Sequence, residues 1–369
     1  MRCRVFLKRI WVMLLAGALL VACSSATPVL PQENVPVQST VEAGTLPPLR
    51  LFLLDSYSGN DMGSQQMRAG VLETLSAYGY GETANAVGSL TLQELSMGLD
   101  AEQDPETVAE ITQQAIASVQ AFAPDVVLIL NNEAALEVIP AYPDPNQAFV
   151  FCGFHGNVEA QGLNRPNVTG VLEEPKPLQT LRMAATLVQG ARHYMILSDR
   201  TPSGTDGASS VYREILTSSE LDVAGTLRLT NNWQIWQQYV LKEAAKMDFI
   251  LLLQTNGLRD PEEGMVPSDT ALSWTLENSP VPVFSLWLEP VSSGAVGGLT
   301  ISSYEEGAAA AKMIWRIARG AHPSSVLITP SERNVLAMNL AAAEYWDVQV
   351  PFEFLSTAKI YQGPGPLRR

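Results

Sequence analysis

The chain reads as an α/β protein built from two doubly wound, parallel-sheet halves. Three observations predict this. Apolar runs of strand length alternate with helix-period segments along most of the chain. Several of those runs are uninterrupted, as in a parallel sheet covered on both faces. The order of elements in the first half also begins again in the second.

The elements follow in order. Arg50–Asp55 is a strand, and residues 64–78 form a helix with Met67, Val71, Leu75 and Tyr78 on one stripe. Ser89–Leu95 alternates as a strand does. Asp104, Pro105 and Glu106 supply an N-cap and a proline at the first helical position. The helix they open turns Val108, Ile111, Ala115, Val119 and Phe122 inward. Asp125–Leu130 and Gln147–Cys152 are buried strands. The series resumes with strand His193–Leu197, helix Thr205–Ser219, strand Val223–Leu229 and helix Trp233–Lys246. It continues with strand Phe249–Leu253, helix Ser268–Asn278 and strand Val281–Leu286. "DVVLILNN" at 125–132 resembles "DFILLLQTN" at 248–256, and "LFLLDSYSG" at 51–59 resembles "YMILSDRTPSG" at 194–204. Ser303 and Glu306 read as a capping box for a helix closed by Gly320. A strand at Ser325–Thr329 and a helix near Asn334–Tyr345 follow. Residues 352–369 are expected to be an irregular tail.

The first residues belong to targeting rather than fold. Arg2, Arg4, Lys8 and Arg9 precede an apolar stretch, Ile10–Leu20, that is too short to span a bilayer. Leu20-Val21-Ala22-Cys23 resembles the lipobox of bacterial lipoproteins. That resemblance implies a signal peptide over 1–22 and lipidation at Cys23, with the bilayer as partner through acyl chains; an ordinary signal peptide or an uncleaved anchor is the alternative. Residues 23–47, rich in Ser, Thr, Pro and Gln, read as a flexible tether. Removal of the four basic residues leaves 19 Lys+Arg against 38 Asp+Glu, a net of −19. Such a surface repels nucleic acid. Cys3 leaves with the signal and Cys23 takes the lipid, so Cys152 stands alone and is expected to pack in a buried strand.

In open parallel sheets, ligands bind beyond the carboxyl ends of the strands. The polar residues of this chain collect there. The first half offers Asp55, Ser56, Tyr57 and Asn60, then Asn131 and Asn132, then Phe154 and His155. The second half offers Ser198, Asp199 and Arg200, then Gln254 and Asn256, then Trp287 and Glu289. If the halves face each other, these loops line one cleft for a small molecule. Tyr57, Phe154 and Trp287 would then sandwich a planar or apolar group. Each loop taken alone also reads as a set of helix caps, with Asp61 and Ser64 able to cap the 64–78 helix. The helix start at Ser203–Thr205, beside Arg200, is the best end for an anionic group.

Chemistry is poorly served. Of three histidines only His155 lies in a candidate loop, and no pair has metal-ligand spacing on a helix. There is no G-x-S-x-G elbow and no Walker loop. Glu173-Glu174 and Glu262-Glu263 are adjacent pairs whose side chains do not converge, and they are expected to be solvated. The reading assigns no enzyme activity, no cofactor and no metal.

"NVTGV" (167–171), "SSYEEGAAAAKMIWRIARGAHP" (302–323) and "MNLAAAEYWDVQVP" (338–351) resemble the ABC-transporter substrate-binding protein family that includes tryptophan/tyrosine-type binders. The resemblance runs patchily from about 49 to 351. It implies a type I periplasmic binding protein fold, with two lobes joined by three crossovers near Asn167–Val171, Gly297–Ser302 and Ser325–Pro330. The N-lobe would be 48–168 plus 300–322, and the C-lobe 170–298 plus 324–351. It further implies a lipid-anchored extracytoplasmic protein that delivers a small molecule, an amino-acid-like one among the candidates, to ABC permease subunits. A sensing lipoprotein feeding a receptor is the alternative. "SYSGND" and "CGFHGN" depart from the aromatic amino-acid binders, so that specificity does not carry over.

Overall fold

The computed structural model describes residues 46–57, 61–81, 86–99, 103–217, 221–331 and 334–363. The signal segment 1–22, Cys23, most of the proposed tether and Asn60 lie outside the described residues. No helix among the described residues is long and apolar enough to cross a membrane.

The first lobe opens with β1 (Leu49–Asp55), α1 (Met62–Ala77), β2 (Tyr80–Gly81) and β3 (Gly88–Ser96). It continues with α2 (Pro105–Phe122), β4 (Val126–Leu130), α3 (Asn132–Ala141), β5 (Ala148–Phe154) and β6 (Val168–Leu172). The chain then enters the second lobe with α4 (Pro177–Leu187), β7 (His193–Ser198), α5 (Pro202–Thr217), β8 (Ala224–Leu229) and α6 (Trp233–Gln238). After a π turn and a 3₁₀ turn come β9 (Phe249–Leu252), the short pair β10 (Arg259–Asp260) and β11 (Gly264–Met265), and α7 (Ser268–Asn278). Next are β12 (Val283–Ser285), α8 (Leu288–Ser292) and β13 (Gly297–Thr300). The chain returns to the first lobe with α9 (Ser303–Ala318) and β14 (Thr329–Pro330). It ends in the second with β15 (Val335–Asn339), α10 (Leu340–Tyr345), α11 (Phe352–Leu355) and β16 (Lys359–Tyr361).

Two seven-stranded sheets result. The first runs β14-β6-β5-β4-β1-β3-β2, all parallel. The second runs β16-β15-β13-β12-β9-β7-β8, parallel except where β13 meets β15. Side chains alternate across each strand, so both sheets bury two faces. Leu51, Leu53, Val126 and Leu128 face one core of the first sheet. Phe52, Leu54, Val127 and Ile129 face the other. Cys152 is fully buried on the first of these faces. The fold is that of two doubly wound α/β lobes. Three links join them: residues 173–176 between β6 and α4, Ile301–Ser302 between β13 and α9, and the passage from β14 to β15.

Four expectations change. Residues 335–339 are a strand, not a helix start: Ala337 and Met338 face opposite cores, and β13 supplies the pairing partner. Residues 329–330 pair with β6, so this stretch lies in the first sheet, not the second lobe. Part of the tail is ordered, because β16 pairs with β15 while Phe354 and Ile360 pack on the core. The cap of α9 is Ser302, whose side chain accepts from the Glu305 N–H at 3.3 Å; Glu306 turns inward instead.

Candidate functional site

The strand tips of the two sheets meet across a cleft. Asp61 ends the loop after β1 and caps α1, accepting from the Ser64 N–H at 2.7 Å. Ser64 Oγ donates to Asp55 Oδ1 at 2.8 Å and accepts from Asn131 Nδ2 at 2.9 Å. Burial raises the Asp55 carboxyl to about 7, and the Asp61 charge adds to the shift. Burial also raises Asp61. Ser56 Oγ donates to Leu130 O at 2.7 Å and accepts from the Ala134 N–H at 2.9 Å, so it knits β4 to the start of α3. Asn132 holds the backbone of residue 155 in a two-way clasp, His155 N–H to Oδ1 at 2.9 Å and Nδ2 to His155 O at 2.8 Å.

Ser203, at the start of α5, is gripped from the opposite lobe at three atoms. Tyr57 OH donates to its Oγ at 3.0 Å. Its N–H donates to Glu133 Oε1 at 3.0 Å. Its carbonyl lies 3.0 Å from His155 Nε2. The helix end read from the sequence as an anion site is already taken by the protein's own Glu133 carboxyl, which burial raises. Arg200 is exposed and contributes only its N–H, which donates to Asn231 at 2.7 Å.

Two adjoining cavities open between the lobes and share Glu173, Leu253 and Trp287. One, of about 70 Å³, is lined by Asp61, Asn131, Gln254, Asn256 and Glu289, together with Met67, Ser268 and Ser303. The other, of about 150 Å³, is lined by His155, Pro175, Pro177, Val211 and Leu286. Glu173 stands at the first link with its side chain only 7 % exposed, 3.5 Å from His155 Nδ1. Trp287 Nε1 donates to it at 3.3 Å. Burial works against the imidazolium of His155, but the bond to Glu173 and its charge outweigh burial and hold it above its ordinary value. Glu289 accepts from the Ser303 N–H at 3.2 Å, and burial raises it to about 7. Behind these lies Glu306, 1 % exposed, with no well-formed hydrogen bond to either carboxylate oxygen. Burial, then the Glu173 charge, hold its carboxyl well above the carboxylate range.

The sequence-derived set divides into three. Asn131, His155, Gln254, Asn256 and Trp287 line the cavities. Tyr57 joins the lobes. Asp55, Ser56, Asn132, Ser198 and Asp199 shape the loops from behind. Asp199, fully buried, accepts from Thr201 at 2.7 Å and from the Gly257 N–H at 2.8 Å. Phe154 is not a wall of the sandwich: it is fully buried and packs on Phe151 at 5.2 Å. Glu289, read with Trp287 at a strand tip, lines the smaller cavity, whereas Glu173 and Glu306 were missed. Glu173-Glu174 had been read as a solvated pair, but on extended backbone neighbours point to opposite sides. Glu174 points out, where it meets Lys176 at 3.5 Å, and Glu173 points in. Its place just beyond β6, at a link between lobes, was the usable signal.

The match to known proteins fits this geometry. Residues 268–361 match the model of the family described as ABC transporter substrate binding protein. A conserved domain protein from Vibrio cholerae superposes with a TM-score of 0.68 at 20% identity, over 85% of this chain and 99% of that one. An ABC domain in complex with L-Trp from Streptococcus pneumoniae gives 0.65 at 16% identity, over 85% and 99%. A ligand-free, open substrate binding protein with adhesive properties from Clostridium difficile gives 0.57 at 14%, over 86% and 100%. No curated protein matches the sequence. The resemblance to the ABC-transporter substrate-binding proteins therefore holds, by family model over the C-terminal region and by the type I periplasmic binding protein fold over the two lobes.

Proposed function

We propose that this chain is an extracytoplasmic solute-binding protein. It captures a small molecule between its lobes and presents the liganded form to an ABC permease. The observation that carries the reading is the pair of cavities at the meeting of the strand tips, walled by both lobes and by the first link. Ligand sites of this kind combine apolar walls with a few placed polar groups. Leu253, Leu286 and Trp287 supply the first, and Gln254, Asn256 and Glu173 the second. The L-Trp complex of the Streptococcus protein supports a small-molecule ligand for a chain of this fold.

Closure would turn on the three links, and the grip on Ser203 would hold the lobes together once ligand is enclosed. The proposal includes a lipid anchor at Cys23, which would keep the binding body near the permease. No step of chemistry is assigned to the site.

The test is mass spectrometry of small molecules released from the purified, denatured protein, followed by a thermal-shift panel. A ligand at 100 times its Kd adds about 2.7 kcal/mol. A released compound that restores this shift is expected; no released compound and no shift from any candidate solute would overturn the reading.

A further inference from the structure

We propose, resting on the solute-binding reading, that the interlobe site takes an organic cation: a protonated amine with an apolar body, not an amino acid or a carboxylate.

Charge is the first argument. Asp61, Glu173 and Glu289 all line the smaller cavity, and no lysine, arginine or histidine does. His155 is the one basic side chain lining the larger cavity, and Glu173 already engages it at 3.5 Å. Lys176, on the same link as Glu173, is turned outward to Glu174. A ligand carboxylate would enter a space bounded by acids and would meet no cation but His155, which Glu173 already engages. Burial raises the Asp61 and Glu289 carboxyls, and a cation placed among these oxygens favours their ionised forms.

The second argument is the disposition of the helix ends, the usual receivers of anions. The start of α1 is taken by Asp61, that of α5 by Glu133, and that of α9 by Ser302 and Glu289. At these three ends the protein's own acceptors take the places where a ligand carboxylate would sit, while α4 and α7, whose first residues Pro177 and Ser268 line the cavities, start without a side-chain cap.

The third argument is Glu306. Both of its carboxylate oxygens lack a well-formed partner although the residue is 1 % exposed. It lies close enough to Glu173 and Glu289 for their charges to act on it. Its carboxyl, held well above the carboxylate range by burial and by Glu173, ionises more readily when positive charge comes to the two cavity-lining acids in front of it. Among the described residues, no three His, Cys, Asp or Glu side chains are set to hold a metal ion, which points to an organic cation. Trp287 lies on the wall shared by both cavities, so a cationic head can sit among the acids with the indole beside it. The apolar body then extends toward Val211, Leu286, Pro175 and Pro177.

The experiment uses the full chain and two matched sets of probes. The aromatic set is phenethylamine, phenylalanine and 3-phenylpropanoate. The aliphatic set is 3-methylbutylamine, leucine and 4-methylpentanoate. Each set keeps one apolar body and changes only the charge. Thermal shift and titration calorimetry at pH 7.5 are expected to rank the amine first in at least one set, with no saturable response to the acid. Glu289→Gln is expected to weaken that amine at least tenfold. Because Glu289 also bonds to α9, wild-type protein supplies a second readout. Calorimetry in two buffers of different ionisation heat should show proton release on binding the amine, as raised carboxyls ionise around it. A larger shift from an amino acid or acid, or no proton release, overturns the cation while leaving solute binding intact. No response to any probe, with no compound released on denaturation, overturns both.

Discussion

Asp55 and Glu289 set the pH response of the ligand-free protein. Burial raises each to about 7, from 3.8 and 4.5. Both folded values lie above the unfolded ones, so between about pH 4 and 7 the folded chain binds more protons than the unfolded chain. Stability is therefore highest at the acid side of this window and falls as pH rises through it. For Asp55 alone the upper limit is roughly 4 kcal/mol. Urea midpoints of ligand-free protein should be higher at pH 5 than at pH 8, and Asp55→Asn should narrow the gap; an unchanged or higher midpoint at pH 8 would contradict this. Burial raises Asp199 in the same direction, and its bonds to Thr201 and Gly257 also build the loop. Asp199→Ala leaves those buried donors unmatched and should cost about 1–3 kcal/mol in a denaturation curve before any ligand is added. At this scale the site was half legible. Polar residues at strand tips were visible, since they interrupt apolar runs. Which of them face the cavity was not, because the same residue types serve as caps and as ligand contacts. The acids at 173 and 306 were invisible because their orientation depends on a link and a helix turn that only the folded chain sets.

Among the elements, α1 and α9 make the closest approach. A Cβ on Gly307 would come within 1.9 Å of Met67 O, and one on Gly70 within 2.0 Å of Tyr304 O. These two glycines let the helix backbones touch, which brings Glu306 against the site and lays Met67 on the cavity wall. Gly307→Ala must push the helices apart and should destabilise the fold by about 1–3 kcal/mol, read as a lower Tm. An unchanged Tm would mean that the pair separates freely. Most elements were legible from their periodicity. The Asp104 cap of α2 has the bonding read for it, accepting from the Glu106 and Thr107 N–H groups at 3.0 Å. Failures came where local pattern and tertiary pairing disagree. Val335-Leu-Ala-Met338 suits helix or strand equally, and β13 decides. The π turn at Tyr239–Glu243 interrupts an expected helix while Trp236, Val240 and Ala244 all stay buried.

For the whole molecule, the grip on Ser203 predicts how the lobes respond to ligand. Tyr57→Phe removes the bond to Ser203 Oγ without touching the cavity lining. One hydrogen bond contributes about 0.5–1.5 kcal/mol, so ligand affinity should fall roughly twofold to tenfold. The Tm without ligand should stay within about a degree. A large loss of that Tm would make the contact a general support rather than a clasp between lobes. The two-lobed plan was legible because the order of elements repeats. The exact links were not, since the residues that resemble the family's crossovers lie largely in the sheet strands β6, β13 and β14, just before the three passages.

The interleaving of those passages has a consequence for how the chain acquires its shape. The first sheet has one flank covered by α1 and α9, and α9 begins only at Ser303. During synthesis from the N-terminus, that flank has only α1 to cover it until about five-sixths of the polypeptide has emerged. Neither half can mature as a separate early unit. A nascent chain of this design remains pliable and threadable almost to its end, then consolidates both halves at once.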